Sequence, residues 1–381
     1  MIAPKGVCDL LHRQIRSFLS DVIDCILDKY IESSQGTIHE IYRREPIAKP
    51  ATIHDVARAA SVSTATVSRA MSQPEKVSDT TREAVEAAIR DTGFRLNRAA
   101  RNLRMQRAGA VLAMVHNLGK PFYSEILAGL AEGLHGTDYA LLLTDTEANP
   151  LSDDALANYF RDGRIDGAIS LDGSLSQGAL DECRARGVEG RIVFLCEWIE
   201  GEDFPTIVVD NADGARLAVR HLYELGHRRI AHVEGPPENV LTLSRKRAMQ
   251  DECAVLGLAP PVIFPGDFSL GSGQAAARDL LAMDPRPTAV FCSADTAAFG
   301  VIAGLREGGL SVPKDVSVIG FDDIEMAAFY DPALTTIRQE RRVLGRRAAQ
   351  VLLARLDGRD TPSEVVAVTL VKRGTTGPAP T

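Results

Sequence analysis

Residues 52–71, TIHDVARAASVSTATVSRAM, constrain this chain more than any other stretch. Ile53, Val56, Ala57 and Ala60 recur at helical spacing, and Thr52 stands before them as an N-cap. Val62 and Ser63 break the pattern over the length that joins two short helices. Ala65, Val67, Ala70 and Met71 then begin a second helix that Ser63 can cap. Two short helices and a tight turn are the outline of a helix-turn-helix. Small residues such as Ala65 let the second helix approach the floor of the major groove. Thr64, Thr66 and Ser68 offer hydroxyls to phosphate oxygens, and Arg69 presents a fork to a guanine edge. A solvated α-hairpin would carry the same residues, so the flanking sequence has to decide.

It favours DNA. Ser78 caps a third helix with Asp79 in its first turn, Val85, Ala88 and Ile89 on its apolar face and Gly93 at its end. After Phe94 the segment RLNRAARNLRMQR holds Arg95, Arg98, Arg101, Arg104 and Arg107 and no acid. At a spacing of three these charges spiral around a helix instead of lining one face. A basic, weakly packed segment beside a DNA reader points to an element that folds on DNA, with Leu103 as a minor-groove wedge. The alternative is a flexible charged linker.

These residues resemble the lactose/galactose repressor (LacI/GalR) family. The similarity rests on the helix-turn-helix, the VSDTTREAVEAAI helix and the RLNRAARNLR hinge. It continues in VPKDVSVIGFDD (312–323), DPALTTIRQ (331–339) and RGTTGP (373–378). It implies a small all-α DNA-binding domain joined to a two-lobed α/β effector domain of the type I periplasmic-binding-protein kind. The expected division is an N-terminal extension 1–50, a DNA-binding domain 51–94, a hinge 95–108 and an effector domain 109–381. Within that domain, lobe 1 is expected at about 109–210 and 313–339, and lobe 2 at about 211–312 and 340–372.

Charge distribution agrees. The chain has 381 residues and a formal net charge of −8. Residues 51–109 carry ten basic and six acidic side chains, residues 1–50 balance, and the remainder sums to −12. A basic head on an acidic body directs the head to phosphate. The six cysteines show no metal-like spacing and read as apolar fillers in a reducing cytosol. No run of 18 apolar residues and no signal peptide are evident, so a cytoplasmic protein without membrane association is expected. Neither a metal nor a cofactor is expected. Leu11, Ile15, Phe18, Val22, Ile26 and Tyr30 give residues 9–31 an amphipathic pattern, read as an interaction helix or as sequence upstream of the true start.

In the body, short apolar runs alternate with helical patterns: 110–115, 139–144, 167–171, 191–195, 206–210, 229–235, 288–292 and 316–320. Such runs mean parallel sheets covered by helices. A change of partner near Asp210 divides them into two lobes facing a cleft, and ligands in such folds sit beyond the carboxyl ends of the strands. Phe122, Tyr123, Trp198, Phe268 and Asp295 follow strand ends and are the effector candidates. Aromatic faces suit the C–H surface of a sugar ring, while Asp and Arg suit its hydroxyls. By resemblance, Arg245 is a ligand arginine within an altered motif, RKRAM, Asp295 is the ligand aspartate and Phe268 the aromatic wall. Asn239 stands where purine repressors carry an arginine, which argues against a purine base.

No GxxxxGK[ST], GxGxxG after the first strand, GxSxG or metal-ligand spacing supports an enzyme. The resemblance implies a homodimer that sets two recognition helices, Thr64 to Met71, on a palindromic operator. Hinges from Asn97 to Arg104 would become helical at its centre. Leu96 departs from the proline common at the hinge entrance, and no C-terminal heptads follow RGTTGP, so a dimer and not a tetramer is expected. The reading is a repressor of carbohydrate-utilisation genes under a sugar-like effector. The alternatives are a nucleoside-like effector or a sugar receptor that reads no DNA.

Overall fold

The computed structural model describes residues 51–95, 102, 105 and 107–380, which fall into two compact units divided between Arg98 and Ala99. Asn97, Arg98, Arg101 and Leu103, like the amphipathic pattern in 1–50, lie outside the described residues.

The first unit is a three-helix cluster: α1 (Ile53–Ala59), α2 (Thr64–Ser72) and α3 (Asp79–Thr92). Val56, Ala57, Val67, Ala70, Val85 and Ala88 form its core, flanked by Ile53, Val62, Met71, Ile89 and Phe94. Each boundary has a cause in the sequence. Ser63 and Ser78 accept the backbone N–H of Thr66 and Thr81 at 3.0 and 3.4 Å, and Gly93 closes α3 in the left-handed conformation. Thr52 is the N-cap of α1 and forms a capping box with Asp55. Its hydroxyl donates to Asp55 (2.7 Å), whose carboxylate also takes the Thr52 N–H (2.9 Å). The turn passes through Ser61 at φ 53°, and Val62 N–H bonds back to the Ala57 carbonyl at 3.0 Å.

The second unit holds two six-stranded sheets. In chain order its elements are β1 (Ala110–Val115), α4 (Phe122–Leu134), β2 (Ala140–Asp145), α5 (Ala155–Arg161), β3 (Gly167–Ser170), α6 (Gln177–Ala185), β4 (Ile192–Leu195), β5 (Thr206–Val209) and α7 (Asn211–Glu224). There follow β6 (Ile230–Val233), α8 (Val240–Val255), β7 (Val262–Phe264), α9 (Leu270–Leu281), β8 (Ala289–Cys292), α10 (Asp295–Glu307), β9 (Ser317–Asp322) and α11 (Met326–Phe329). The last elements are β10 (Thr335–Arg338), α12 (Arg341–Leu356), β11 (Glu364–Val366) and β12 (Thr369–Val371). Lobe 1 has the order β11-β5-β4-β3-β1-β2 with every pairing parallel. Lobe 2 has the order β12-β10-β9-β8-β6-β7, with only β12 antiparallel. Inner strands such as β1 and β8 are buried along their whole length, and each large side chain so buried contributes about 1.5–3 kcal/mol. The edge strand β2 is half-exposed, and Leu142 and Leu143 reach solvent.

The lobes are cut differently from the sequence expectation. Residues 313–339 hold β9 and β10, which continue the lobe 2 sheet beside β8 instead of joining lobe 1. Residues 340–366 return to lobe 1, where α12 lies against α4 and β11 extends the sheet beside β5. The reason is close backbone packing. A Cβ on Gly129 of α4 would sit 2.2 Å from the Arg342 carbonyl, and one on Gly345 of α12 would sit 2.1 Å from the Ile126 carbonyl. Glycine at both positions lets these two helices touch. The chain therefore crosses between lobes near Asp210, near Gln339 and between β11 and β12.

Candidate functional site

The cavity between the lobes arises where the strands of both sheets end. Its volume is about 330 Å³. Lobe 1 supplies His116 after β1, Phe122 and Tyr123 at the start of α4, Asp172 after β3 and Glu197 after β4. Lobe 2 supplies Asn239, Arg245, Phe268, Ser293 and Asp322. Phe122 and Tyr123 meet edge to face with centroids 5.2 Å apart, giving lobe 1 an aromatic corner.

Arg245 anchors the lobe 2 floor. It is buried, its Nε donates to the Asn211 side chain at 2.9 Å and its Nη1 to the Ser293 carbonyl at 2.5 Å. The guanidinium lies 3.7 Å from the centroid of the Phe321 ring. Burial pulls its pKa down to about 10, against the pull of Asp322 and Glu197. Asp322, the last residue of β9, is buried with Gln339 Nε2 donating to its carboxylate at 2.6 Å. Desolvation raises its pKa to about 6, opposed by Arg245 and Arg341. Asp322 and Asp323 have φ of 122° and 54°, and Phe268 and Cys196 also take positive φ, at 66° and 69°. Such conformations are costly for non-glycine residues and collect at ligand sites.

Of the effector candidates, Phe122, Tyr123, Asn239, Arg245 and Phe268 line one cavity, whereas Trp198 and Asp295 do not. Glu197 takes the inward position after β4, and its neighbour Trp198 is left half-buried outside the lining. Asp295 is fully buried under the cavity. Its carboxylate is consumed by the Ile324 N–H (2.8 Å) and the Thr336 hydroxyl (2.5 Å), tying α10 to the end of lobe 2's sheet. Asp322 occupies the place in the lining that the sequence reading gave to Asp295. Sequence reasoning also passed over His116, Asp172 and Glu197. The same strand-end logic would have found all four, had it been applied to every polar residue after a strand as it was to Asp295.

In the first unit, α2 turns Val67 and Ala70 inward, which leaves Ala65 and Arg69 exposed and Ser68 partly so. Arg58 and Arg82 pair with Asp55 and Asp79, while Arg69 has no ion pair among the described residues. Thr64 and Thr66 are half-buried. The Thr66 hydroxyl is bonded to Ser63 at 2.8 Å within the cap, so it is less free for phosphate than the sequence implied.

Residues 52–97, which hold the three helices of the first unit, match the family profile "Bacterial regulatory proteins, lacI family". Residues 219–376 match a periplasmic binding protein-like domain. The transcriptional repressor CytR of Escherichia coli (strain K12) is 36% identical over 334 residues, 87% of this chain and 97% of that protein. The chain belongs to the lacI family. PurR of Haemophilus influenzae (strain PittEE) is 33% identical over 316 residues, 81% of this chain and 92% of that protein. Among solved structures, the lac repressor dimer bound to operator and the anti-inducer ONPF superposes with a TM-score of 0.74 at 32% identity. It covers 86% of this chain and 100% of its own. A CelR–cellobiose complex superposes at 0.63 and 30% identity, covering 85% and 99%. A family member from Enterococcus faecium with bound ribose superposes at 0.64 and 28%, covering 71% and 99%.

Proposed function

We propose that this lacI-family chain is a homodimeric repressor whose grip on a palindromic operator is set by a small hydroxylated ring compound held between the lobes. The observation that carries this reading is the convergence of Phe122, Tyr123, Phe268, Arg245 and Asp322 from two lobes on one 330 Å³ cavity. Aromatic faces cover a ring, and a buried arginine and carboxylate fix its hydroxyls. A sugar and a nucleoside both fit that chemistry, and relatives bracket it, from cellobiose and ribose complexes to CytR and PurR.

Arg69 and Ala65 are assigned to base edges in the major groove, and Thr52, Ser63, Thr64 and Ser68 to the phosphate backbone, with Thr66 held in the cap by Ser63. Asn97, Arg98, Arg101 and Leu103 are assigned from sequence to the hinge, with Leu103 as the wedge at the operator centre. Exposed Leu118, Leu142 and Leu143 at the edge of lobe 1 support dimerisation. Effector binding changes the interlobe angle, and linkage makes the coupling to DNA reciprocal, typically about 1–3 kcal/mol.

The test is selection of DNA from a random pool at physiological salt, repeated with a panel of sugars and nucleosides. An enriched palindrome whose affinity shifts with one compound establishes the reading. Enrichment that no compound shifts would remove the effector, and no enrichment under any condition would remove the operator.

A further inference from the structure

The lobe 1 wall of the cavity carries two acids, Asp172 and Glu197, with His116 and Lys120 as its basic groups. Asp172 and Glu197 both line it and both are largely withdrawn from water. Asp172 accepts the Thr146 hydroxyl and the Ser174 N–H (2.8 Å), while Glu197 accepts the Asn239 amide (3.0 Å) and the Gly173 N–H (2.9 Å). Each Glu197 oxygen therefore has one neutral donor and room for about one more, whereas Asp172 also takes the Ser174 side chain and, against its burial, is held below its ordinary range by these bonds. Among the described residues no lysine or arginine pairs with either acid. The His116 ring, with Nδ1 3.7 Å from Asp172, is the one basic group within ion-pairing reach. Desolvation, and the neighbouring Asp172, hold the Glu197 carboxyl above its ordinary range.

A buried carboxylate with no cationic partner is costly, so Glu197 is best satisfied by what enters the cavity, with Asp172 beside it. A ligand hydroxyl brings one donor, an amine two and an ammonium three. The Asn239–Glu197 bond crosses from lobe 2 to lobe 1, so a donor that took over Glu197 Oε1 would act on the same contact that joins the lobes. The opposite wall, with Arg245 and Asp322, suits hydroxyls.

We infer that the effector carries an amino group that seats against Glu197 and Asp172. The inference rests on the effector reading of the cavity and narrows it. Two kinds of compound share this chemistry: amino sugars, with a charged nitrogen, and nucleosides with an exocyclic amine.

The test is calorimetric binding to the full chain with matched pairs: glucosamine and glucose, galactosamine and galactose, cytidine and uridine, adenosine and inosine. The aminated member of at least one pair binds about tenfold tighter or better than its partner, a difference of about 1.4 kcal/mol. The pair that responds identifies the source of the amine. Glu197→Gln and Asp172→Asn each reduce that preference several-fold. Should neither variant fold, the wild-type pairs still decide. Equal binding within every pair, or preference for the unaminated member, overturns the amine while leaving a ring-binding cavity intact. Binding by none of the eight compounds overturns both.

Discussion

Arg341 donates through Nη2 to the Asp323 carbonyl at 3.0 Å, on the crossing that carries the chain from β10 into α12. Its Nη1 reaches the Pro121 and Phe122 carbonyls of lobe 1 at 3.3 and 3.2 Å. One buried guanidinium thus holds the loop that bears the aromatic corner to the residue that follows Asp322. Replacing Arg341 by Met keeps the apolar stem and strands three carbonyls. Unfolding in urea should show a loss of about 2–4 kcal/mol, since hydrogen bonds to charged groups contribute about 1.5–3 kcal/mol and do not add fully. The effector-dependent change in DNA affinity should shrink as well. A loss below about 1 kcal/mol would mean that water replaces the guanidinium.

Arg69 makes a prediction about specificity. Its side chain is exposed on α2 and without an ion pair, so substitution by Ala leaves the helical core of Val67 and Ala70 intact. Operator affinity should fall by about 1–3 kcal/mol in a gel-shift titration, and binding to unrelated DNA should fall far less. Equal losses on both DNAs would reassign Arg69 to phosphate.

Buried titratable groups in lobe 2 pull the pH profile in opposite directions. Desolvation takes His232 down to about 4, so folding selects the neutral ring. Between its unfolded pKa of about 6.5 and 4, the unfolded chain binds more protons, and stability is lost as pH falls. Asp322, raised to about 6, favours its protonated form on folding, so its contribution falls as pH rises from about 4 to 6. His232→Gln should therefore gain on the wild type as pH falls through that window, and Asp322→Asn should gain as pH rises through it. Chemical denaturation at pH 4.5 and 6.5 (about the two ends) measures both. Parallel profiles for all three proteins would refute the assignment.

Much of this molecule was legible in its sequence, for identifiable reasons. Helix ends were legible because Ser63, Ser78 and Gly93 act within one turn of where they stand. The inner strands were legible because burial on two faces leaves long apolar runs such as 110–115. Lobe membership was not, because it depends on Gly129 meeting Gly345 across more than two hundred residues, a contact with no local signature. The site was half legible. Phe122, Tyr123, Asn239, Arg245 and Phe268 were found, but choosing between Asp295 and Asp322 needed to know which carboxylate Thr336 and the Ile324 N–H had already taken.

Gly235 offers a way to act on the cavity from outside its lining. A Cβ there would lie 2.1 Å from the Phe268 ring and 2.6 Å from the Thr242 hydroxyl. Phe268 is already held at φ 66°, so its ring is the element that must move. Gly235→Ala should cost about 1–3 kcal/mol through overpacking. It should weaken effector binding about tenfold or more by displacing an aromatic wall of the cavity. DNA binding without effector should stay near the wild-type level, since Phe268 belongs to the cavity of the second unit. Calorimetry with the effector and a gel shift without it separate the two. Unchanged effector affinity would show that Phe268 is dispensable to the ring, and the aromatic role would pass to Phe122 and Tyr123.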